Sequence, residues 1–189
     1  MKKKINVAVI GCGYWGINLV RNFYDLGVLK AVADSDINTK KKVSLISKNV
    51  KFTSKYKELL NDNDIDAIII ATPARQHFEI VKESILHNKH VFVEKPLCLD
   101  HSGGKKLVSL AKKRNVKLMV GHLMLYHPAF RKIKEKVNQG LIGKIRYIYS
   151  NRLALGKLRK EEDILWSFAP HDISMILNLV DNKLIDIQA

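Results

Sequence analysis

The stretch Ile5-Asn6-Val7-Ala8-Val9-Ile10-Gly11-Cys12-Gly13-Tyr14-Trp15-Gly16 decides which fold this sequence predicts. An apolar run of strand length leads directly into G-x-G-x-x-G, which is typical of a tight turn between a buried strand and a helix. The first glycine of such a turn permits the bend, the second lets the main chain approach a pyrophosphate, and the third allows close helix–strand packing. We therefore expect Gly11, Gly13 and Gly16 to form a phosphate-binding loop.

Two residues between these glycines, Tyr14 and Trp15, belong to the same predicted loop. Either they contact the bound dinucleotide or they only pack around the turn. A glycine turn that binds nothing is the remaining alternative, and the strand–turn–helix context disfavours it.

An acidic residue follows the second predicted strand at the position that a dinucleotide site requires. Val28–Ala33 is the second predicted strand, and Asp34 follows it, 18 positions after Gly16. A carboxylate there hydrogen-bonds the ribose 2′-hydroxyl of NAD and repels the 2′-phosphate of NADP. The sequence therefore predicts NAD, rather than NADP, as the cofactor.

Strand and helix patterns alternate through the first two thirds of the chain, which predicts an α/β fold with a parallel sheet. The run 66–71, which is apolar after Asp66, is typical of a central parallel strand that is buried on both faces. Further strands are predicted near 50–53, 90–93 and 116–120, with helices near 38–47, 55–61, 74–88 and 103–114. We expect a Rossmann-type doubly wound sheet of six strands, forming an NAD(P)-binding domain over residues 1–121.

Residues 122–189 change in character and predict the start of an α+β second domain for substrate binding and oligomerisation. We expect helices near 128–139 and 170–180, and strands near 144–153 and 184–187. The apolar side chains that alternate along 144–153 need a surface to pack on, so we expect the chain to form a homo-oligomer, a dimer or higher.

Composition excludes several other classes of protein. The net charge is +15, but residues 1–60, 61–120 and 121–189 hold 12, 10 and 11 Lys and Arg. Nucleic-acid binding usually shows as a clustered patch, so this even spread disfavours it. No apolar run is long enough for a membrane span, and no signal sequence is evident. Cys12 and Cys98 lack metal or redox spacing and predict free thiols in a reducing cytoplasm.

Polar motifs follow the later strands at the edge where ligands of open α/β sheets bind. Thr72-Pro73 ends one strand, with His77 in the next helix, and Glu94-Lys95-Pro96 ends another. His122 follows the last strand of the first domain. For His77 and His122 the sequence leaves open a ligand contact or a purely structural role, and His87 and His90 are explained by capping alone.

Together with Ala169-Pro170-His171-Asp172, these motifs carry a family resemblance. The chain resembles the glucose–fructose oxidoreductase / inositol dehydrogenase / MocA-type oxidoreductases, and most of all their sugar-acting branch, which includes nucleotide-sugar 3-dehydrogenases and 3-ketoreductases. The matching segments run in family order over nearly the whole chain.

The resemblance implies NAD(P)-dependent hydride transfer at a carbinol of a sugar or nucleotide sugar, with no metal. Lys95 would contact the reacting hydroxyl and the nicotinamide ribose, and His171 would act as general base. A histidine suits this step because it can take a proton at neutral pH. The resemblance adds cofactor contacts at Thr72, Pro73, His77, Glu94 and Lys95, and substrate contacts at Lys95, His122, Tyr126, Arg152 and His171.

Two departures from the family keep other functions open. The family commonly places an Asp four residues before the catalytic histidine, where this chain has Ser167. Family members are also longer, with a large open sheet after the histidine helix. The alternatives are a non-catalytic dinucleotide-binding module and an interaction protein that recruits a partner through its exposed apolar residues.

Overall fold

The computed structural model describes residues 5–153, 163–180 and 184–188. They divide into two compact units, one ending at Gly121 and the other beginning at His122. The first unit holds all of the described strands and is the part of the chain that the glycine motif organises.

Six parallel strands form one sheet in the first unit, in the order β3-β2-β1-β4-β5-β6. The order reverses between β1 and β4, which is the doubly wound arrangement that the sequence predicts. The strands are β1 Val7–Ile10, β2 Leu29–Ala33, β3 Lys51–Thr53, β4 Ala67–Ile70, β5 His90–Val93 and β6 Leu118–Val120.

Five helices flank this sheet, one in each crossover between consecutive strands. They are α1 Gly16–Asp25, α2 Thr39–Ile46, α3 Tyr56–Leu60, α4 Ala74–Leu86 and α5 His101–Lys113. The predicted α/β Rossmann fold is confirmed, and every predicted helix of this region is present with ends shifted by a few residues.

The central strands are buried on both faces, so the sheet separates two apolar cores. On one face Ile68 and Ile70 of β4 pack with Val81 of α4 and Leu107 of α5. On the other face Val9 of β1 packs in a cluster with Val20, Val32, Val43 and Ile69. Successive residues of β1 and β4 alternate between the two cores, which explains why these strands are apolar without interruption.

The glycine turn lies against the end of β4 with no room for side chains. Gly11 has φ +92°, and a Cβ on it would lie 2.7 Å from the carbonyl carbon and oxygen of Ala71. A Cβ on Gly16 would overlap the carbonyl oxygen of Gly11 and lie 3.3 Å from the Cβ of Ala71. Gly13 differs, because a Cβ there would meet nothing within 4 Å.

The described part of the second unit is helical. A 3-10 turn, Leu123–Tyr126, leads into α6, Pro128–Asn138. The long helix α7, Ile164–Leu179, begins six residues before its predicted start, because the Asp163 carboxylate caps it by accepting from the N–H of Trp166 at 2.9 Å. Pro170 lies inside α7 and does not end it.

The two strands predicted for the second domain are wrong. Residues 145–153 and 184–188 are described and have no regular secondary structure. A strand forms by hydrogen bonding to a neighbour, and no described segment pairs with either of them. The apolar side chains remain exposed, most of all those of Tyr147, Tyr149 and Leu153.

Among the described residues, no helix is long and apolar enough to cross a bilayer.

The different surroundings of Gly16 and Gly13 predict opposite effects of the same substitution. Gly16→Ala forces a Cβ into the main chain of the turn, and we expect it to lower the free energy of unfolding by about 1–3 kcal/mol. Gly13→Ala is the matched control, with an expected change below about 0.5 kcal/mol, because the site is exposed and open. Urea denaturation measures both, and equal stability of the two variants would contradict the packing described above.

Candidate functional site

The predicted cofactor residues of the first unit gather at one edge of its sheet. Since all six strands are parallel, the segments that follow β1, β2, β4, β5 and β6 leave from the same edge. Main-chain hydrogen bonds continue the ladder past the strand ends, from Gly11 N–H to Ala33 O at 2.8 Å and from Glu94 N–H to Ile70 O at 2.9 Å. These bonds fix the main chain at the point where the candidate site begins.

Three main-chain N–H groups are available at the start of α1. Those of Gly13, Tyr14 and Trp15 donate to no residue that the structure describes, whereas the N–H groups of Ile17 and Asn18 turn back to Gly13 and Trp15. Unsatisfied N–H groups at a helix N-terminus, reinforced by the helix dipole, favour an anionic ligand. The open space beside Gly13 lets such a ligand approach the main chain.

The Asp34 carboxylate is hydrogen-bonded to the glycine turn itself. Its Oδ2 accepts from the N–H of Cys12 at 2.6 Å, and its Oδ1 accepts from the N–H of Asp36 at 2.9 Å. Each carboxylate oxygen has two lone pairs, so both can still accept from a ribose hydroxyl. The predicted position of Asp34 beside the loop is what the structure shows.

The Cys12 thiol in the glycine loop lies within range of both negative and positive charges. Cys12 is buried within the turn, and burial together with the nearby Asp34 carboxylate raises the pKa of its thiol to about 11. Arg21 and Lys42 oppose that rise and therefore lie within electrostatic range of the same turn. The thiol stays protonated and unreactive at neutral pH.

The turn after β4 holds a buried polar atom and a buried histidine. The hydroxyl oxygen of Thr72 is buried and has no hydrogen-bond partner among the described residues. His77 is only 1% exposed, with Nδ1 2.7 Å from the carbonyl oxygen of Pro96 and Nε2 2.8 Å from that of Thr72. Both ring nitrogens of His77 thus face main-chain carbonyls.

Glu94 lies between the glycine loop and the end of β6. Its Oε1 accepts from the indole N–H of Trp15 at 2.9 Å, and a Cβ on Gly121 would lie 3.1 Å from the same oxygen. Burial raises the pKa of the Glu94 carboxyl, while the Trp15 hydrogen bond, the neighbouring Lys95 and His77 oppose the rise. This pair links two motifs that are 79 residues apart in sequence.

Lys95 follows Glu94 and is half-buried at the end of β5. The peptide bond between Lys95 and Pro96 is cis, and Pro96 is buried. The main chain of the turn that carries the Lys95 ammonium group is held on both sides. Before Lys95, the Glu94 N–H donates to Ile70 O, and after it the Pro96 carbonyl contacts the His77 ring.

In the second unit, the candidate base His171 lies on α7, half-buried. The next residue, Asp172, accepts from Arg152 Nε at 2.6 Å, from Arg152 Nη2 at 3.2 Å and from the Ser150 hydroxyl at 2.9 Å. The Arg152 hydrogen bond is the main cause that lowers the pKa of the Asp172 carboxyl, and the charge of His171 contributes. Arg152, which was predicted to contact substrate, therefore donates two hydrogen bonds to the carboxylate of Asp172, the residue next to His171.

Three other residues of the second unit bear on the predicted site. His122 precedes the 3-10 turn, burial lowers its pKa, and its Nδ1 is buried with no hydrogen-bond partner among the described residues. Tyr126, at the end of that turn, is 59% exposed. Ser167 is buried on α7, one helical turn before His171.

Sequence analysis missed the contacts that join these motifs. The Trp15–Glu94 and Arg152–Asp172 pairs depend on tertiary approach, for which the sequence carries no signal. The ring contacts of His77 had a partial signal, because the two prolines that follow β4 and β5 cannot donate main-chain hydrogen bonds. Among the described residues, no three His, Cys, Asp or Glu side chains are placed to hold a metal ion.

Comparison with known proteins is consistent with this geometry. A family model described as an oxidoreductase family with an NAD-binding Rossmann fold matches residues 5–122. An uncharacterized oxidoreductase of Bacillus subtilis (strain 168) is 36% identical over 145 residues, which cover 76% of this chain and 42% of the relative. The UDP-N-acetylglucosamine 3-dehydrogenase of Acidithiobacillus ferrooxidans is 27% identical over 186 residues, covering 98% of this chain and 57% of the relative.

A solved structure gives the same result. The crystal structure of a 3-ketoreductase from Actinomadura kijaniata, in complex with NADP and TDP-benzene, superposes with a TM-score of 0.68 and 28% identity. The match covers 76% of this chain and 45% of that one. This chain thus spans about half the length of the relatives it matches, and its first unit is an NAD(P)-binding Rossmann domain.

The Trp15–Glu94 hydrogen bond predicts how stability depends on pH. A carboxyl whose pKa is raised by folding adds stability below its unfolded pKa and loses it as the pH rises through the folded pKa. Trp15→Phe removes a donor that opposes the rise, so we expect a still higher Glu94 pKa and a loss of about 1 kcal/mol at pH 7 that shrinks towards pH 4.

Carbon-13 NMR of the glutamate carboxyls and urea denaturation at the two pH values measure these effects. Glu94→Gln is the matched control, because in that background Trp15→Phe should cost the same at both pH values. A Trp15→Phe variant with an unchanged Glu94 titration would contradict the assignment.

Proposed function

Since the chain belongs to the glucose–fructose oxidoreductase / inositol dehydrogenase / MocA family of oxidoreductases, we propose that it transfers a hydride between NAD and a carbinol of a sugar or nucleotide sugar. The observation that carries the proposal is the edge of the sheet described above. There an anion-binding glycine loop, a carboxylate for ribose and a lysine on a fixed turn follow strands of one parallel sheet.

The residues present fit a dinucleotide. The free N–H groups of Gly13, Tyr14 and Trp15, with the open space at Gly13, suit a pyrophosphate. Asp34 has lone pairs left for the hydroxyls of the adenosine ribose. On the β4 side of the point where the strand order reverses, the nicotinamide ribose would be held by the buried Thr72 hydroxyl, Glu94 and Lys95.

NAD supplies the hydride acceptor, and the protein supplies orientation and proton transfer. Lys95 holds a positive charge that favours the alkoxide character developing on the carbinol oxygen. The imidazole of His171 takes the proton of that hydroxyl and returns it in the reverse direction.

His171 also has an acidic neighbour in this chain. Removal of the hydroxyl proton leaves an imidazolium, which a carboxylate stabilises. Ser167 cannot carry the charge that the family places one turn earlier, and the fixed carboxylate within electrostatic range is that of Asp172. Arg152 and Ser150 hold that carboxylate in one orientation.

The substrate class rests on the relatives. Two proteins similar to this chain are described as a UDP-N-acetylglucosamine 3-dehydrogenase and as a 3-ketoreductase bound to TDP-benzene. We propose by analogy that the carbinol is C3 of a UDP- or dTDP-sugar, with Tyr126, His122 and Arg152 contributing to the substrate site.

A second candidate function follows from Ser167 and from the length of the match. A non-catalytic dinucleotide-binding module would bind NAD and turn over no sugar. We favour the enzyme, because Lys95 and His171 are both present in family order.

Location and assembly are proposed on sequence grounds. The two cysteines, which have no metal or redox spacing, favour the cytoplasm. The exposed apolar side chains of Tyr147, Tyr149 and Leu153 favour a homo-oligomer.

Cofactor preference is tested at Asp34. We expect NADP to bind about 5- to 150-fold more weakly than NAD, corresponding to about 1–3 kcal/mol for a lost hydrogen bond beside an unfavourable charge. Asp34→Asn should weaken NAD binding and reduce the difference between the NAD and NADP affinities. Asp36 is a nearby carboxylate that is not bonded to the glycine loop, so Asp36→Asn should change neither the NAD affinity nor that difference. Titrations with NADH and NADPH followed by fluorescence measure this, and equal affinities in the wild-type protein would show the NAD assignment to be wrong.

Turnover is tested at Lys95 and His171. A positioned general base contributes about 10²- to 10⁴-fold, so we expect Lys95→Ala and His171→Ala each to lower kcat by at least about 100-fold. Cofactor affinity should change far less. Steady-state assays with a panel of UDP- and dTDP-sugars measure this, with His87→Ala as the exposed control. Wild-type turnover by His171→Ala would place the base elsewhere, and an inactive wild-type protein that binds NAD would favour the non-catalytic module.

A further inference from the structure

His77 makes two contacts that a neutral imidazole cannot satisfy together. Its Nδ1 lies 2.7 Å from the carbonyl oxygen of Pro96 and its Nε2 lies 2.8 Å from that of Thr72. A carbonyl oxygen only accepts, and a neutral imidazole has a single N–H. One of the two short contacts would then set a ring lone pair against an oxygen lone pair, in a place that is 1% exposed.

We propose that His77 carries a proton on both ring nitrogens and, as a buried imidazolium, positions the turn that presents Lys95. The first half of this inference concerns the protein itself, and the second rests on the proposed function. His77 is then a positioning residue that fixes the Lys95 turn from α4, and not a residue that contacts the cofactor.

The main chain explains why a side chain is needed at this point. The ladder between β4 and β5 ends with the bond from Glu94 N–H to Ile70 O. Beyond it both turns contain a proline, Pro73 and Pro96, which have no N–H to donate. The carbonyls of Thr72 and Pro96 therefore need a donor from elsewhere, and a doubly protonated ring on α4 supplies one to each.

A buried cation needs a counter-charge, and the structure offers one. Glu94, at the end of β5, is within electrostatic range of His77, whose charge opposes the rise that burial causes in the Glu94 pKa. Other charged groups lie on the neighbouring elements: Lys95 on the same turn, Arg75, Glu79, Lys82 and Glu83 on α4, and Asp100, Lys105 and Lys106 at the start of α5. The Asp100 carboxylate accepts from Gly103 N–H and the Ser102 hydroxyl. Glu94 is the carboxylate that interacts electrostatically with the ring.

The protonation state is tested directly by nitrogen-15 NMR of the wild-type protein labelled at histidine. At pH 7 we expect both ring nitrogens of His77 to give the shifts of protonated nitrogens, assigned by loss of the signals in His77→Gln. His87 is the internal control, because it is exposed and its Nδ1 alone faces a carbonyl, that of Glu83 at 2.8 Å. A non-protonated nitrogen in His77 at pH 7 would overturn the inference, whatever the activity.

The positioning role is tested with His77→Leu, which removes both donors, and His77→Gln, whose amide N–H₂ group offers two. We expect His77→Leu to shift the Lys95 side-chain carbon-13 resonance and to lower kcat about 10- to 100-fold, as small misplacements do, with a change in KM of less than about threefold. His77→Gln should recover part of kcat, and His87→Gln should behave as wild type.

The variant assays and the NMR measurements distinguish the results that would contradict each part of the proposal. A kcat equal to wild type in folded His77→Leu would overturn the positioning role. A rise in KM and a loss of NAD affinity as large as the loss in kcat would overturn it too. If the wild-type protein binds NAD but turns over no sugar, the proposed function fails and the Lys95 resonance decides the positioning role alone. If His77→Leu does not fold, the Gln variant and the wild-type NMR measurement still decide between the outcomes.

Discussion

The close approach of the glycine turn to the end of β4 is the constraint on which the rest of the first unit depends. Gly11 and Gly16 leave no space for a Cβ against Ala71 and against each other, so the turn can pack in one way only. That packing sets the start of α1 and exposes the N–H groups of the loop. It also brings Cys12 within hydrogen-bond distance of Asp34. One steric requirement therefore fixes the candidate phosphate site and the candidate ribose site together.

The polar groups at this edge are held by the main chain more than by each other. Asp34 accepts from two backbone N–H groups, and His77 meets two backbone carbonyls. Hydrogen bonds to the main chain orient a side chain firmly because the backbone of a buried sheet cannot relax away. The pair formed by Trp15 and Glu94 is the exception, because it joins two side chains and Trp15 is 42% exposed. The edge is thus held by main-chain hydrogen bonds at Asp34 and His77 and by a side-chain hydrogen bond at Glu94.

The first unit could be predicted from sequence because its signals are local. Apolar runs of strand length, the glycine spacing and the acid after β2 each follow from the physics of a short segment. The second unit was predicted less well for the same reason. Residues 144–153 have the alternation of a strand, but a strand also needs a neighbour, and alternation says nothing about whether one is present. The start of α7 was predicted six residues too late, whereas the Asp163 cap opens the helix at Ile164.

The residues around His171 show how a chemical requirement can be met from a different position. A carboxylate one helical turn before the histidine would lie on the same face of α7, and Ser167 is buried there instead. Asp172 follows the histidine directly, so its side chain leaves the helix in another direction. Only an external anchor could keep that carboxylate beside the ring, and the Arg152 fork with the Ser150 hydroxyl provides it. The pairing also neutralises much of the Asp172 charge. Under the proposed function, Asp172 is therefore a weaker electrostatic support for an imidazolium at His171 than an unpaired carboxylate would be.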